Sequence, residues 1–309
     1  MTLVVFGGTG FVGSSIIKKQ INKEKIFSIS SKKKVRMYNL KSSKLLQDTL
    51  FKKYLKKEKK FDAIFCASTR YDPKKYSTDP LGVFKNNINS IIKFLKILDN
   101  KNIRKVLLIS SYAVYGNKNK KNRESSKILI ENFSNKEFYY ALAKFTQENL
   151  LSNFCKVKKI NYNIIRLPSL YGPGSTLKMK NSHVIPSFIM QVLNKKKSMK
   201  VYGSGNEKRE FVYIFDLIKI LMILRKNNLN GIINVGTNNF VSIKNILDII
   251  IESTKSNIIA KTNNISFSDV PLRKVNYSKF KKHIKNFNFE KISSGLLKTI
   301  NWYKSKNHD

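Results

Sequence analysis

Residues 2–17 read TLVVFGGTGFVGSSII: an apolar run stops at four glycines in seven positions and then resumes at helical spacing. Val4, Val5 and Phe6 have the texture of a buried strand, and Ile16 and Ile17 open a helical face. Gly8, Gly10 and Gly13 give G-x-G-x-x-G directly after a strand and at the start of a helix, the context this motif requires. Glycines there allow a tight turn, close approach of backbone N–H groups to a large anion, and close packing of helix on strand. Helix N-termini favour such anions, and the anion expected here is a dinucleotide pyrophosphate.

Downstream, short apolar segments alternate with helical ones. KIFSIS (25–30) and KVRMYNL (34–40) read as strands, and a charged helix is expected through SKLLQDTLFKKYLKKE (43–58). FDAIFCAST (61–69), IRKVLLISS (103–111) and NYNIIRLPSLYG (161–172) read as further strands. FKNNINSIIKFLKILDN (84–100) and KEFYYALAKFTQENLLSNF (136–154) read as helices. This alternation argues for an α/β, Rossmann-type, doubly wound parallel sheet covered on both faces. After about Tyr171 the texture becomes loop-rich, which predicts a smaller mixed α/β C-terminal lobe. The expected division is a dinucleotide-binding domain over 1–170 and a mainly substrate-binding lobe over 171–309, with parts of 211–250 returning to the first.

The 309 residues carry 60 Lys and Arg against 19 Asp and Glu, a net charge of +41, and 41% are hydrophobic. That apolar content supports a sizeable core. The basic clusters at 31–36, 51–60 and 193–200 are dispersed and lack interleaved aromatics of the kind that stack bases. Heavy use of Lys, Asn and Ile throughout points to composition bias rather than to a nucleic-acid partner. A non-catalytic RNA-binding or scaffold protein of the same fold stays as the alternative class, and steep salt dependence of RNA binding would reveal it. No run of about 18 apolar residues suggests a membrane span, and the expected location is the cytoplasm. Cys66 and Cys155 form no disulfide framework, and His183, His283 and His308 are scattered, so no metal site is expected.

An acidic residue after the second strand would bind an adenosine ribose. Here SISSKKKVR (28–36) places Ser30 or Ser31 at that point, with Lys32, Lys33 and Arg36 following. This favours NADP over NAD, because the cations suit a 2′-phosphate.

YALAK sets Tyr140 and Lys144 four apart, hence on one helical face; Tyr139 falls on a neighbouring face. In LLISSYAVYG (107–116), Ser110 and Ser111 end a buried strand, where open α/β sheets place their ligands. A free phenol has a pKa of about 10, so its use as a base near neutral pH asks for about 4 kcal/mol of help. A lysine ammonium about 5 Å away, at an effective dielectric of about 20, supplies about 3 kcal/mol. A serine hydroxyl beside the pair can hold the reacting oxygen while hydride passes to or from a nicotinamide.

GGTGFVG (7–13), SSYAVYG (110–116), YALAK (140–144), RLPSLYGPG (166–174), VYGSGNEKREFVYIFD (201–216), GIINVG (231–236) and GLLKTINWYKSK (295–306) stand in one order along nearly the whole chain. In this the chain resembles the extended short-chain dehydrogenases/reductases, in the NAD(P)-dependent nucleotide-sugar epimerase/dehydratase family. The resemblance implies catalytic roles for Ser111, Tyr140 and Lys144. It implies cofactor contacts for Gly7, Gly10, Phe11, Val12, Gly13, Ser31 and Lys32, with Tyr140 and Lys144 serving there too. It implies substrate contacts for Asn87, Ser169, Arg209 and Arg273, although Asn87 also reads as a helix-start cap, and Ser169 stands where the family usually has Asn. Dehydratases of this family follow the Ser/Thr with Asp-Glu, whereas here Tyr112 and Ala113 follow. The expected enzyme is therefore an NAD(P)-dependent epimerase acting on a nucleotide-diphosphate sugar through a keto intermediate; an NADPH-dependent 4-keto reductase is the alternative. A homodimer built on the helices at 84–98 and 139–151 and a setting in polysaccharide biosynthesis are also implied.

Overall fold

The computed structural model describes residues 2–30, 35–39, 42–46, 54–67, 78–99, 102–116, 121–126, 128, 138–177, 183–194, 197–263 and 272–306. Strand β1 (Thr2–Phe6) is buried along its whole length. Its side chains alternate between two cores: Leu3 and Val5 enter one, Val4 and Phe6 the other. A strand buried on both faces needs cover on both, and the helices supply it. Helix α1 (Phe11–Gln20) brings Ile16 and Ile17 to the first core, together with Leu217 and Leu221 of helix α5 (Ile214–Lys226). Helix α2 (Pro80–Ile97) brings Ile91 and Phe94 to the second core, and helix α3 (Phe138–Val157) brings Leu151 and Cys155.

The sheet has eight strands in the order β11-β7-β6-β5-β1-β2-β3-β4. These are β2 (Lys25–Ile29), β3 (Val35–Asn39), β4 (Ser42–Leu46), β5 (Phe61–Phe65), β6 (Ile103–Ile109), β7 (Asn161–Arg166) and β11 (Gly231–Asn234). Pairing is parallel from β11 through β2, as the alternation of strands and helices predicts. The chain leaves β1 for β2 on one side and reaches β5 on the other. The crevice at the carboxyl ends of β1 and β5 is thus a topological switch point, where such sheets bind ligands.

The sheet departs from expectation at one edge. β3 runs antiparallel to β2, and β4 runs antiparallel to β3, with Val35 opposite Leu46 and Asn39 opposite Ser42. The start of the helix expected over 43–58 is therefore a hairpin arm, and helical backbone is described only at 54–57. Pairing with the open edge of β3 overrides the local helical pattern, as tertiary context commonly does.

A third core lies beyond the main sheet. Strands β8 (Ser169–Tyr171), β10 (Lys208–Tyr213) and β12 (Phe240–Ser242) form a three-stranded sheet, and β9 (Ser198–Tyr202) pairs with β13 (Ile259–Asn263). Ile189 of helix α4 (Val184–Leu193), Ile246 of helix α6 (Ile243–Thr254) and Ile300 of helix α8 (Ile292–Lys306) pack against Tyr171, Phe211 and Tyr213. Phe280 of the short helix α7 (Ser278–His283) packs into the first core instead. Among the described residues no helix is long and apolar enough to cross a membrane, and no cluster of His, Cys, Asp or Glu could hold a metal ion.

Candidate active site

The glycine turn sits at the switch point. Gly10 caps α1 with extended backbone, no side chain caps the helix, and no acidic residue occupies its first turn. The helix therefore presents its first N–H groups, at Phe11, Val12 and Gly13, without a built-in anion. A Cβ on Gly13 would lie 2.3 Å from the Gly7 carbonyl oxygen, so close packing of the turn demands glycine there. A Cβ on Gly10 would meet only that same oxygen, at 3.3 Å, and otherwise point into open space. Internal packing thus leaves room above Gly10 for an approaching group. These features fit a dinucleotide pyrophosphate held by Gly10, Phe11, Val12 and Gly13. Gly7 presses against the end of β5, where an added Cβ would lie 2.7 Å from the Ala67 nitrogen.

Cys66 is next to that contact, and its thiol donates to the Phe6 carbonyl at 3.2 Å. Burial pushes the Cys66 thiol up to about 12, against the opposing field of Lys144. Lys144 is 3% exposed. Its ammonium donates to the Ile109 carbonyl at 3.0 Å and lies 5.9 Å from the centre of the Tyr140 ring. Burial lowers Lys144 to about 8, while Cys66 and Glu148 oppose the shift.

Two residues beyond Ile109, Ser111 caps a 3-10 turn over Tyr112–Tyr115, its hydroxyl accepting the Ala113 N–H at 3.1 Å. Its own hydroxyl hydrogen is left to donate elsewhere. Tyr140 and Ser111 are both half-buried. One lysine thus ties the helix carrying Tyr140 to the strand end carrying Ser111.

The other expected contacts divide into groups. Asn87 is 1% exposed and lies two turns inside α2, which Asp79 caps, so the helix-start alternative does not hold. Its side-chain amide donates to the Val83 carbonyl at 2.9 Å, and its main-chain carbonyl accepts from the Gln147 side chain of α3 at 3.0 Å. Ser169, exposed on β8, and Arg209, half-buried on β10, lie on adjacent strands of the three-stranded sheet. The Arg273 guanidinium donates from Nε to the Gly116 carbonyl at 3.0 Å, which joins it to the loop that begins at Ser111. Ser31, Lys32 and Lys33 lie outside the described residues. Arg36 is exposed on β3, opposite Ser28.

Tyr112 is turned away from any role as an acid beside Ser111. It is 4% exposed, and its hydroxyl donates to the Val235 carbonyl at 2.8 Å. Burial holds the Tyr112 phenol well above its ordinary range, with Tyr277 and Glu210 adding to the shift. Glu210 accepts from Tyr277 at 2.6 Å and from the Asn238 N–H at 2.6 Å.

Sequence reasoning passed over Glu148 and Arg166. Glu148 stands four residues past Lys144 and eight past Tyr140, a spacing that puts all three on one helical face. Arg166 is a charge that ends a strand whose last five residues, itself included, are buried. Both periodicity and hydropathy carried the signal.

A family model described as the NAD dependent epimerase/dehydratase family matches residues 3–236. UDP-glucuronic acid decarboxylase 1 of Arabidopsis thaliana is 24% identical over 316 residues, which cover 99% of this chain and 70% of that protein. A solved structure of UDP-N-acetylglucosamine 4-epimerase from Methanobrevibacter ruminantium, in complex with UDP-N-acetylmuramic acid, aligns with a TM-score of 0.82. Its identity is 26%, over 99% of this chain and 98% of that one. UDP-glucose 4-epimerase of Thermus thermophilus, solved in complex with NAD, shares the fold with a TM-score of 0.78, at 18% identity over 98% of this chain and 99% of that one.

Proposed function

The chain belongs to the NAD-dependent epimerase/dehydratase family, and we propose that it is an NAD(P)-dependent epimerase of a nucleotide-diphosphate sugar, working through a transient keto intermediate. The observation that carries this reading is the placement of Lys144, bonded to the Ile109 carbonyl and 5.9 Å from the Tyr140 ring centre. A nicotinamide dinucleotide, when bound, accepts hydride from a sugar carbon and returns it.

The chain's own groups handle the proton. Tyr140 takes it from the sugar hydroxyl as the keto form develops and gives it back on return. The Lys144 ammonium, 5.9 Å from the Tyr140 ring centre, stabilises the phenolate; an attraction between charges about 6 Å apart at an effective dielectric of about 20 is worth about 3 kcal/mol. Ser111 donates its hydroxyl hydrogen to the reacting sugar oxygen. Inversion then needs the keto sugar to present its other face before hydride returns.

Arg209 is assigned to the diphosphate, since a guanidinium matches phosphate oxygens in a bidentate manner; Ser169, Arg273 and Asn87 complete the proposed substrate contacts. Dehydration is disfavoured, because elimination calls for an acid beside the reacting hydroxyl and the Tyr112 hydroxyl is bonded to the Val235 carbonyl. A 4-keto nucleotide-sugar reductase is the second reading, favoured by the absence of a carboxylate after β2. The cofactor separates the two: NAD retained through purification supports the epimerase, and net consumption of added NADPH supports the reductase. A homodimer through α2 and α3 is part of the proposal, since Leu81, Ile92 and Leu150 keep apolar surface exposed on those helices.

The test is incubation with a panel of nucleotide sugars and their 4-keto forms, with and without NADPH. Formation of an epimer without net oxidation supports the proposal. RNA binding with no bound cofactor and no turnover would place the chain in the scaffold class instead.

A further inference from the structure

Three elements converge on one buried carboxylate, a turn beyond Lys144 on the same helical face. Glu148 and Arg166 are each 2% exposed, and Ser110 is 4% exposed. Arg166, the last residue of β7, donates from Nη2 to Glu148 Oε2 at 2.6 Å and from Nε to Oε1 at 3.0 Å. Ser110, at the end of β6, donates its hydroxyl to the same Oε1. The Arg166 guanidinium lies 4.7 Å from the centre of the Tyr115 ring, and the Tyr115 hydroxyl donates to Asn234 at 2.7 Å. A buried ion pair is costly to desolvate and often adds little stability over well-packed apolar side chains.

We propose that Glu148 and Arg166 are positioning residues: the pair locks the strand end carrying Ser110 and Ser111 against the helix carrying Tyr140 and Lys144, and its carboxylate serves as counter-charge to the Lys144 ammonium. The inference rests on the reading of Tyr140 and Lys144 as the reacting pair. The groups facing Lys144 are Cys66 from the end of β5, Tyr140 and Glu148 from its own helix and the Ile109 carbonyl from β6, with Arg166 of β7 beyond Glu148. The Cys66 thiol, held up to about 12 by its burial, is neutral near pH 7. Among these groups Glu148 is then the anion, shared between Lys144 and Arg166, and the Arg166 fork fixes where it sits.

The test is titration of protein labelled with carbon-13 at the lysine Cε positions, with the Lys144 resonance identified by its loss in Lys144→Met. It needs neither substrate nor cofactor, so it can fail or succeed independently of the turnover assay. The wild-type midpoint is expected at about 8. In Glu148→Gln it falls by about tenfold in proton affinity, because the carboxylate one turn along the helix, which holds Lys144 up, is gone. Ser110→Ala keeps the carboxylate and leaves the midpoint in place. Should Glu148→Gln not fold, the paired variant Glu148→Gln/Arg166→Met removes the carboxylate together with the cation beyond it, and a smaller fall in the same direction is expected. An unmoved Lys144 midpoint in either folded variant overturns the proposal.

Discussion

The Lys144 ammonium donates to the Ile109 carbonyl at 3.0 Å and lies 5.9 Å from the centre of the Tyr140 ring. A single buried cation is thus bonded to the strand that ends at Ser111 and faces the phenol on its own helix. Removing either end of this relationship has a different signature. Tyr140→Phe deletes the proton carrier and lowers kcat by about 10²–10⁴-fold, the usual worth of a positioned acid–base group, with the fold intact by circular dichroism. Lys144→Met also lowers kcat, and it weakens dinucleotide affinity as well. Equal activity of Tyr140→Phe and wild type would remove the phenol from the account.

The glycine turn separates packing from binding. Gly13→Ala places a Cβ 2.3 Å from the Gly7 carbonyl oxygen and is expected to destabilise by about 1–3 kcal/mol, the range for overpacking. Gly10 has φ −82°, which alanine accepts, and its added Cβ would meet only the Gly7 oxygen at 3.3 Å. Gly10→Ala therefore keeps near-native stability and loses dinucleotide affinity. Denaturant melts and cofactor titration on both variants check the contrast.

The pH dependence has a defined sign. Burial lowers Lys144 from 10.5 to about 8 in the folded chain. Below pH 8 the folded protein carries the full penalty of a buried ammonium. Above 10.5 both folded and unfolded forms are neutral and the penalty is gone. Wild-type stability relative to Lys144→Met should therefore rise across that window, by up to about 3 kcal/mol for a shift of this size. Paired urea melts at several pH values measure it, and a gap that stays constant or narrows contradicts the burial argument.

The Arg166–Glu148 pair predicts non-additive stability. Arg166→Met leaves a buried carboxylate without its cation, a change that costs about 3–5 kcal/mol in comparable settings. Glu148→Gln/Arg166→Met removes the orphaned charge and recovers most of that loss. A double-mutant cycle with additive losses would show that the two side chains do not act as a unit.

Much of this arrangement is legible in the chain alone, for physical reasons. TLVVFGGTG announces β1 because an uninterrupted apolar run before glycines suits a strand buried on both faces. YALAK and the serines at 110 and 111 announce the candidate site because helical spacing and strand ends fix where those groups project. The hairpin of β3 and β4 is hidden, because its partner is an open sheet edge rather than anything local, and Lys44, Leu45 and Leu46 suit a helix equally well. Helical spacing announces Glu148 one turn beyond Lys144, but its partners Arg166 and Ser110 come from β7 and the end of β6, so that meeting emerges only once the sheet is assembled. Phe280 gives no local sign that it returns to the first core.

The most direct test of the central claim follows a label rather than a rate. A nucleotide sugar carrying deuterium at the carbon to be inverted is incubated with the purified holoenzyme, and the product is read by NMR. The expected product is an epimer that keeps its deuterium at that carbon, because hydride leaves for the nicotinamide and comes back, and no product is expected from Tyr140→Phe. Solvent hydrogen at the inverted carbon, or an undiminished yield from Tyr140→Phe, would contradict that claim.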